Sequence, residues 1–412
     1  MTMPTLLQAA SARNAPMSRR IASQWPVYAP DEIAAVTDVL RSGRVNGLHH
    51  GRWCSAFEAG FAELCEMPHA IALANGTLAL EVALRALDIG PGDEVIVPAR
   101  SFMATASCVV ACGARPIFAD IDPEAQNVTE ETVARVLSRE TRAIIVVHLA
   151  GYPAPMIELA ALASGCRVAL IEDCAQAHGA TIAGRRVGAF GDAAAFSFCT
   201  DKIMSTGGEG GMLVLRDERI WQRAWALKDH GKDHSLTHAA ASDAGFRWLH
   251  QRFGSNYRLT EMQAAIGVVQ LGKLDDWIAR RQRNAAALLE QLDDLAALRL
   301  TRPAAGIGHA YYKFYAFIRP DRLRLGWTRD RIVAEAQECG LPCQTGSCPE
   351  IYLEQACRDA GLGPRDRLPV ARQLGETSIM LPVDPTLDEH ACDTMGILLR
   401  AIVKRATNNV GL

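Results

Sequence analysis

Two residues have the type and setting for carbonyl chemistry, Lys202 and Asp173. Lys202 ends the stretch Ala195-Phe196-Ser197-Phe198-Cys199-Thr200-Asp201-Lys202, and the glycine-rich turn Thr206-Gly207-Gly208-Glu209-Gly210-Gly211 follows within one short connection. Apolar, small and aromatic residues precede the lysine, as in a buried strand. Burying a lone ammonium is costly unless it is paired or neutral. Condensing the amine with an aldehyde cofactor into a Schiff base removes the charge, and few roles need lysine so specifically. A surface lysine pointing into solvent at a strand end fits this segment equally well, so the upstream chain has to decide.

About thirty residues earlier stands Val168-Ala169-Leu170-Ile171-Glu172-Asp173-Cys174-Ala175-Gln176-Ala177-His178-Gly179. It reads as a short apolar strand, then polar residues, then a glycine. In open α/β sheets ligands bind beyond the carboxyl ends of the strands, which is where Asp173 falls. A turn or helix-capping aspartate is the plain alternative.

Taken together, Glu172-Asp173-x-Ala175-Gln176-Ala177-His178-Gly179-Ala180 and Phe196-Ser197-Phe198 through Lys202 to Gly211 resemble the DegT/DnrJ/EryC1/StrS family. These are pyridoxal-phosphate (PLP) sugar aminotransferases with the aspartate-aminotransferase fold. Matching stretches run from Tyr28 almost to the C-terminus, and several ordered motifs at family-like spacing carry the match. The resemblance implies that Lys202 forms the Schiff base and then serves as the base on the amino donor's Cα. It implies that Asp173 faces the pyridine nitrogen and keeps the ring cationic. Gly76, Thr77 and Ser197 would hold the coenzyme phosphate, Phe102 would stack on the ring, and Gln176 would contact the ring or its 3-hydroxyl. Asn256, in Asn256-Tyr257-Arg258, would reach the phosphate of a second subunit, which implies a homodimer. The implied reaction moves an amino group from glutamate or glutamine to a keto sugar, most often nucleotide-linked, in amino-sugar biosynthesis. A cyclitol or unlinked sugar ketone is the alternative acceptor.

The elements that must position these residues follow from periodicity. Helical spacing covers 31–41 and 53–65. Ala70–Ala74 is a strand, Asn75-Gly76-Thr77 a turn, and Leu78–Leu87 a helix. Strand, glycine, hydroxyl residue and helix form an anion-binding arrangement, because free backbone N–H groups and the helix dipole meet there. Thr77 read by itself is a good N-cap. Phe102 near a helix start offers an aromatic face to a flat cofactor, and read alone it is an ordinary core residue. Strands at 94–97, 116–120, 143–148 and 168–173 alternate with helices at 129–137 and 157–164. That alternation predicts an α/β fold with a mostly parallel, doubly wound sheet. Beyond Lys202, the pattern predicts a strand over 211–215, a helix over 218–227, a loop over 230–243 and one long helix from Thr260 to Leu292. Later elements are a strand over 311–317 and helices over 328–339 and 388–403.

A chain of 412 residues exceeds one compact core. The expected division is a flexible leader over 1–24, a large cofactor-binding domain over 25–292 and a smaller α+β domain over 293–412. A net charge of −3 gives no basic footprint for nucleic acid. No apolar run approaches a membrane span, and residues 1–24 lack a secretory apolar region. The twelve cysteines include no Cys-x-x-Cys pair, which points to a reducing, cytoplasmic setting and to no metal site. No Gly-x-Gly-x-x-Gly or P-loop is present.

Two other readings share the fold. Some relatives catalyse PLP- or PMP-dependent sugar deoxygenation with histidine in place of the lysine; this chain has Lys202. A non-catalytic PLP-binding regulator would need no base, yet the Asp173–Lys202 pair is complete. Three departures from the family pattern bear on the substrate. Gly346-Ser347-Cys348-Pro349-Glu350-Ile351-Tyr352 replaces a His-Tyr-Pro-Pro-Leu-His type of segment, Pro155 stands where Asp is common, and Ile203 stands where Asn is common.

Overall fold

The computed structural model describes residues 21–47, 51–239 and 246–407. Seven strands form its central layer: β1 (His69–Leu73), β2 (Glu94–Pro98), β3 (Arg115–Ala119), β4 (Thr141–Val147), β5 (Ala169–Asp173), β6 (Ala193–Ser197) and β7 (Gly211–Leu215). Their order is β1-β7-β6-β5-β4-β2-β3. The β2–β3, β2–β4, β4–β5 and β5–β6 pairs are parallel. β7 alone runs against its neighbours, antiparallel to both β1 and β6. This is the mostly parallel sheet expected. The reversal of β7 was not legible, because Gly-Met-Leu-Val-Leu has no direction of its own. It arises because the described connection from β6 contains no crossover helix to carry the chain back to a parallel start.

Both faces of the sheet are buried, which explains the near-continuous apolar strands. Ile71 and Leu73 belong to one hydrophobic cluster, and their neighbours Ala70 and Ala72 belong to another on the opposite face. Helices α2 (Arg52–Leu64), α3 (Gly76–Ala86), α4 (Ala104–Ala111), α5 (Met156–Cys166) and α6 (Glu218–Lys228) cover the two faces, and α1 (Pro30–Ser42) lies outside them, its Ala35 and Val39 packed with Ala265.

The single long helix expected over 260–292 is two helices, α7 (Glu261–Leu271) and α8 (Leu274–Leu292). Gly272 and Lys273 separate them. Apolar spacing continues across the break, so periodicity did not reveal it. Glycine weakens the helix there, and Lys273 leaves the helical register to pair with Asp31 at 2.7 Å and Glu32 at 2.9 Å on α1. The helix expected over 129–137 is shorter, Glu130–Ala134. Within the loop expected over 230–243, a one-turn helix spans His234–His238, and residues 240–243 lie outside the described residues.

A second, three-stranded antiparallel sheet follows: β8 (Leu298–Leu300), β9 (Phe314–Ile318) and β10 (Ser378–Leu381), in the order β8-β9-β10. It packs with α9 (Arg329–Glu338), α10 (Glu389–Ala406) and the second half of α8 around its own cluster, which includes Leu288, Phe314, Ile332, Leu399 and Ile402. Residues 1–20 of the expected leader lie outside the described residues. At its end Ile21 is 1% exposed in this second cluster. Four residues on, Trp25 Nε1 donates 2.7 Å to the carbonyl of Lys202. Ile21 is therefore packed, Ala22, Ser23 and Gln24 are exposed, and Trp25 braces the Lys202 turn. Among the described residues no helix is long and apolar enough to cross a membrane.

Candidate active site

Asp173 is the last residue of β5 and is buried. The parallel register sets it beside Val147 of β4 and Ala195 of β6, at the carboxyl end of the sheet. Its Oδ1 accepts from the Ala175 N–H at 3.1 Å, and its Oδ2 accepts from the Thr105 hydroxyl at 3.3 Å. Burial pushes its pKa up, against the pull of the Ala175 N–H, Lys202 and Thr105. A buried carboxylate so placed favours a cationic or proton-donating partner.

Its neighbour Glu172 points to the opposite side and is fully buried. It accepts from the N–H groups of Gly188, Phe190 and Gly191, each at 2.8 Å, and lies 3.1 Å from His148 Nε2. His148 Nδ1 accepts from the Ala154 N–H at 3.0 Å, so Nε2 carries the proton and donates to Glu172. Burial pushes the Glu172 pKa up, but the His148 ring and the Gly188 and Gly191 N–H groups outweigh it and hold it low. Ligand atoms of His148, Glu172 and Cys174 lie within 4.8 Å of one another. Both His148 nitrogens are already engaged, and burial raises the Cys174 thiol well above its usual range, so the group holds β5 in place as it stands.

Lys202 lies on a turn beyond the end of β6, and its side chain is 15% exposed. The turn is tied down at both ends. The Phe198 N–H donates to the Gly210 carbonyl at 2.8 Å, and the Thr206 hydroxyl donates to the Glu209 carbonyl at 2.7 Å. Gly207 and Gly208 have φ of 83° and 121°, backbone that costs other residues strain. Gly211 is needed for space: a Cβ there would come within 2.3 Å of the Asn75 carbonyl oxygen. The glycine turn therefore lets β7 pass directly against the start of α3. Lys202 Nζ sits 3.8 Å from Asp201 Oδ1 and 5.0 Å from the centroid of the Tyr312 ring. The Tyr312 hydroxyl donates to Asp201.

The helix cap at this corner is Asn75, whose Oδ1 accepts from the Leu78 N–H at 2.9 Å. Thr77, which looked like a good cap, stands exposed in the first turn of α3 with its hydroxyl uncommitted to capping. Gly76 opens α3 close to β6; a Cβ on it would meet Ser197 Cβ at 2.6 Å. The α3 N-terminus, Thr77 and Ser197 thus converge, and the first-turn N–H groups have no helical partners. Phe102 is 68% exposed. Gln176 is buried and accepts from the Ala150 N–H at 2.7 Å through Oε1, leaving its amide N–H groups for other partners.

Gly76, Thr77, Phe102, Asp173, Gln176, Ser197 and Lys202 all line one cavity of about 1000 Å³. Asn256 does not line it. That residue bridges Asp229 through the backbone, and its Oδ1 lies 3.5 Å from the Arg258 N–H. The cavity also takes residues that sequence reasoning did not single out, among them Ser101, Tyr312, Lys313 and Gln344, and it takes Ser347 and Cys348 of the atypical segment that the sequence connected with the substrate. A lysine inside the aromatic run Tyr311-Tyr312-Lys313-Phe314 was a usable signal. Gln344 had none, because only the close approach of the second sheet brings it in. The atypical 346–352 segment is anchored: the Ser347 N–H donates to the Tyr315 hydroxyl at 2.9 Å, the Ile351 N–H donates to the Ala99 carbonyl at 2.9 Å, and Arg367 pairs with Glu350. Ile203, in the position where Asn is common, is fully buried beside Lys202.

A parallel sheet ending in a buried aspartate, beside a lysine, a glycine turn and a helix N-terminus, defines a PLP-dependent aminotransferase. The chain belongs to the DegT/DnrJ/EryC1/StrS aminotransferase family, whose model matches residues 26–398. An aminotransferase from Psychrobacter cryohalolentis is 46% identical with a TM-score of 0.91, over 93% of this chain and 99% of that one. L-glutamine:2-deoxy-scyllo-inosose aminotransferase of Micromonospora echinospora is 37% identical over 93% of this chain and 94% of its own length. GDP-perosamine synthase of Caulobacter vibrioides is 34% identical over 83% and 88%.

Proposed function

We propose that this aminotransferase moves the amino group of glutamate or glutamine to the ketone of a nucleotide-linked sugar. The carrying observation is the single cavity in which the buried Asp173 carboxylate and the Lys202 amine meet the N-terminus of α3. The donor set suits PLP. Gly76, Thr77 and Ser197 offer N–H and hydroxyl groups to a phosphate, Asp173 offers a carboxylate to a protonated ring nitrogen, and Phe102 offers an aromatic face. When bound, PLP supplies the electron sink on which amino-group transfer depends.

The chain's own residues do the rest. Asp173 keeps the ring nitrogen protonated, and its own burial strengthens that pairing. Lys202 Nζ would take the proton from the donor's Cα. Tyr312 and Asp201 orient the lysine. The Gln176 amide N–H groups are free for the ring hydroxyl. We read the large unit over 25–292 as the coenzyme platform and the small unit from 293 as the side that closes over substrate.

The cavity has to hold the coenzyme and the substrate together, and the nucleotide-linked reading is supported by the likeness to GDP-perosamine synthase. The cyclitol alternative is favoured by the likeness to the 2-deoxy-scyllo-inosose enzyme, which spans nearly all of both chains. Pyridoxamine-loaded enzyme separates the two. Offered a panel of nucleotide-linked keto sugars, free keto sugars and cyclitol ketones, it should regain the aldehyde form of the coenzyme with a nucleotide-linked ketone. Recovery with the cyclitol ketone alone would move the reading to the alternative.

We further propose a homodimer in which Asn256 serves the partner's phosphate site. Its absence from its own cavity supports this, as do the exposed Phe246, Trp248 and Phe253 just before it. Mixing Lys202→Ala with Asn256→Ala, each inactive by itself, should restore up to about a quarter of wild-type turnover. Hybrid dimers formed at random would each hold one intact site. No recovery after verified subunit exchange would place Asn256 in its own subunit's site or in none. The twelve cysteines, all free, suit the reducing cytoplasm in which we place the enzyme.

A further inference from the structure

Among the described residues two cationic side chains line the cavity, Lys202 and Lys313. The chemistry above uses only the first. Lys313 stands one residue before β9, where the second sheet meets the mouth of the first. It forms no ion pair or hydrogen bond with any described residue; its recorded contact is the Tyr312 ring, 5.0 Å from Nζ to centroid. Lys202 Nζ lies 5.0 Å from the same centroid, so the two nitrogens are at most twice that distance apart. Burial and the Arg281 guanidinium press the Lys313 pKa down, while Asp201 and Asp384 pull it up. Neither acid reaches it. Asp201 is engaged by the Tyr312 hydroxyl and Lys202, and Asp384 accepts from Thr386 at 2.5 Å. Arg281 donates through Nη1 to the carbonyls of Tyr311 and Tyr312, at 3.4 and 3.3 Å; its Nε and Nη2 have no hydrogen-bond partner among the described residues, but it is buried and does not line the cavity.

We propose that Lys313 binds the α-carboxylate of the amino donor. This deepens the transaminase reading and rests on it. An uncompensated, largely buried ammonium in a cavity is a seat for an anion. Besides the coenzyme phosphate, which Gly76, Thr77 and Ser197 would hold, the proposed reaction brings here the donor's α-carboxylate, the side-chain carboxylate when the donor is glutamate, and the acceptor's phosphates. The α-carboxylate is bonded directly to the carbon that loses its proton to Lys202. The phosphates of a nucleotide-linked sugar stand a ring's width away from the reacting carbon. Lys313 shares a single aromatic ring with Lys202, so its reach matches the nearer anion. A carboxylate there would also turn the donor's Cα–H toward Lys202, since the Lys313 ammonium would hold the carboxylate while the Lys202 amine addresses the carbon bonded to it.

The test uses full-length coenzyme-loaded enzyme and three chains: wild type, Lys313→Met and Lys313→Arg. Borohydride fixation of the coenzyme on Lys202, followed by peptide mass, first shows that each variant is folded and loaded. Binding is then titrated spectrally with 2-methylglutamate, which has no Cα proton to lose. The donor and acceptor steps are timed separately in single turnover. Lys313→Met should weaken 2-methylglutamate about 10- to 100-fold, the scale of one charge-assisted hydrogen bond. It should raise the donor concentration needed for half-maximal rate by a similar factor for both glutamate and glutamine, which share the α-carboxylate. Lys313→Arg should recover most of this loss. The acceptor step should lose at least tenfold less than the donor step. Unchanged 2-methylglutamate affinity overturns the proposal, as does a loss confined to the acceptor step, which would assign Lys313 to substrate phosphate. Failure of wild-type enzyme to aminate any ketone would instead strike the acceptor reading and leave the titration standing.

Discussion

Lys202→Ala should leave a folded protein that no longer holds its coenzyme covalently, with transamination down by about a thousandfold or more. The size follows from two losses at once. In its proposed roles the amine is both the attachment point and the base at the donor's Cα, and general-base catalysis alone contributes about 10²- to 10⁴-fold. Folding should survive, because the turn is held by backbone hydrogen bonds and by the Thr206 hydroxyl rather than by the lysine side chain. The Trp25 ring also grips the Lys202 carbonyl, which alanine keeps. Borohydride reduction of wild-type enzyme should place the pyridoxyl group on the Lys202 peptide. Finding it on another residue, with Lys313 the obvious rival in the same cavity, would overturn the assignment.

Asp173→Asn should separate stability from catalysis. In the protein without coenzyme, burial raises the Asp173 pKa above its unfolded value. The sign follows directly: the folded state then binds the proton more tightly, so any stability this group lends is complete below its unfolded pKa. That contribution is lost as pH rises through the folded value. At neutral pH the ionised side chain is therefore a cost. Asparagine removes the charge while keeping an oxygen for the Ala175 N–H and adding a donor for the Thr105 hydroxyl. Melting of the coenzyme-free variant at neutral pH should match or exceed that of wild type, and its advantage should fade on acidification. Turnover should fall by about 10²- to 10³-fold, the scale of losing one preorganised electrostatic partner, and coenzyme should bind more weakly. A variant that melts clearly lower without coenzyme, or that keeps full turnover, would contradict this reading of Asp173.

The two predictions lean on different parts of the site, and those parts differed in how well they could be read. Asp173 and the Lys202 turn are local features: an apolar strand with a polar exit, and a small-residue strand with a glycine turn. Gly76 and Thr77 were legible for the same reason, as a strand–glycine–helix junction. The identity of the cap was not. Asn75 and Thr77 both suit an N-cap, and only the extended backbone of Asn75 decides between them. The Glu172–His148 pair was invisible because its partners are separated by 24 residues and joined only by the β4–β5 register. Lys313 carried a signal in its aromatic run and Ser347 in its atypical segment, whereas Gln344 carried none.

Residue order by itself determined the alternation of strands and helices, the anion-binding corner, and the aspartate and lysine proposed to act on a carbonyl compound. Each of these is written within about a dozen consecutive residues, where hydrophobic period, turn chemistry and side-chain type act directly. The tertiary structure decided the reversal of β7, the break between α7 and α8 and the cavity wall given by Tyr312, Lys313 and Gln344. It also decided the exclusion of Asn256 from its own chain's pocket. Those depend on which distant surfaces bury one another, and burial is a property of the packed pair rather than of either sequence segment.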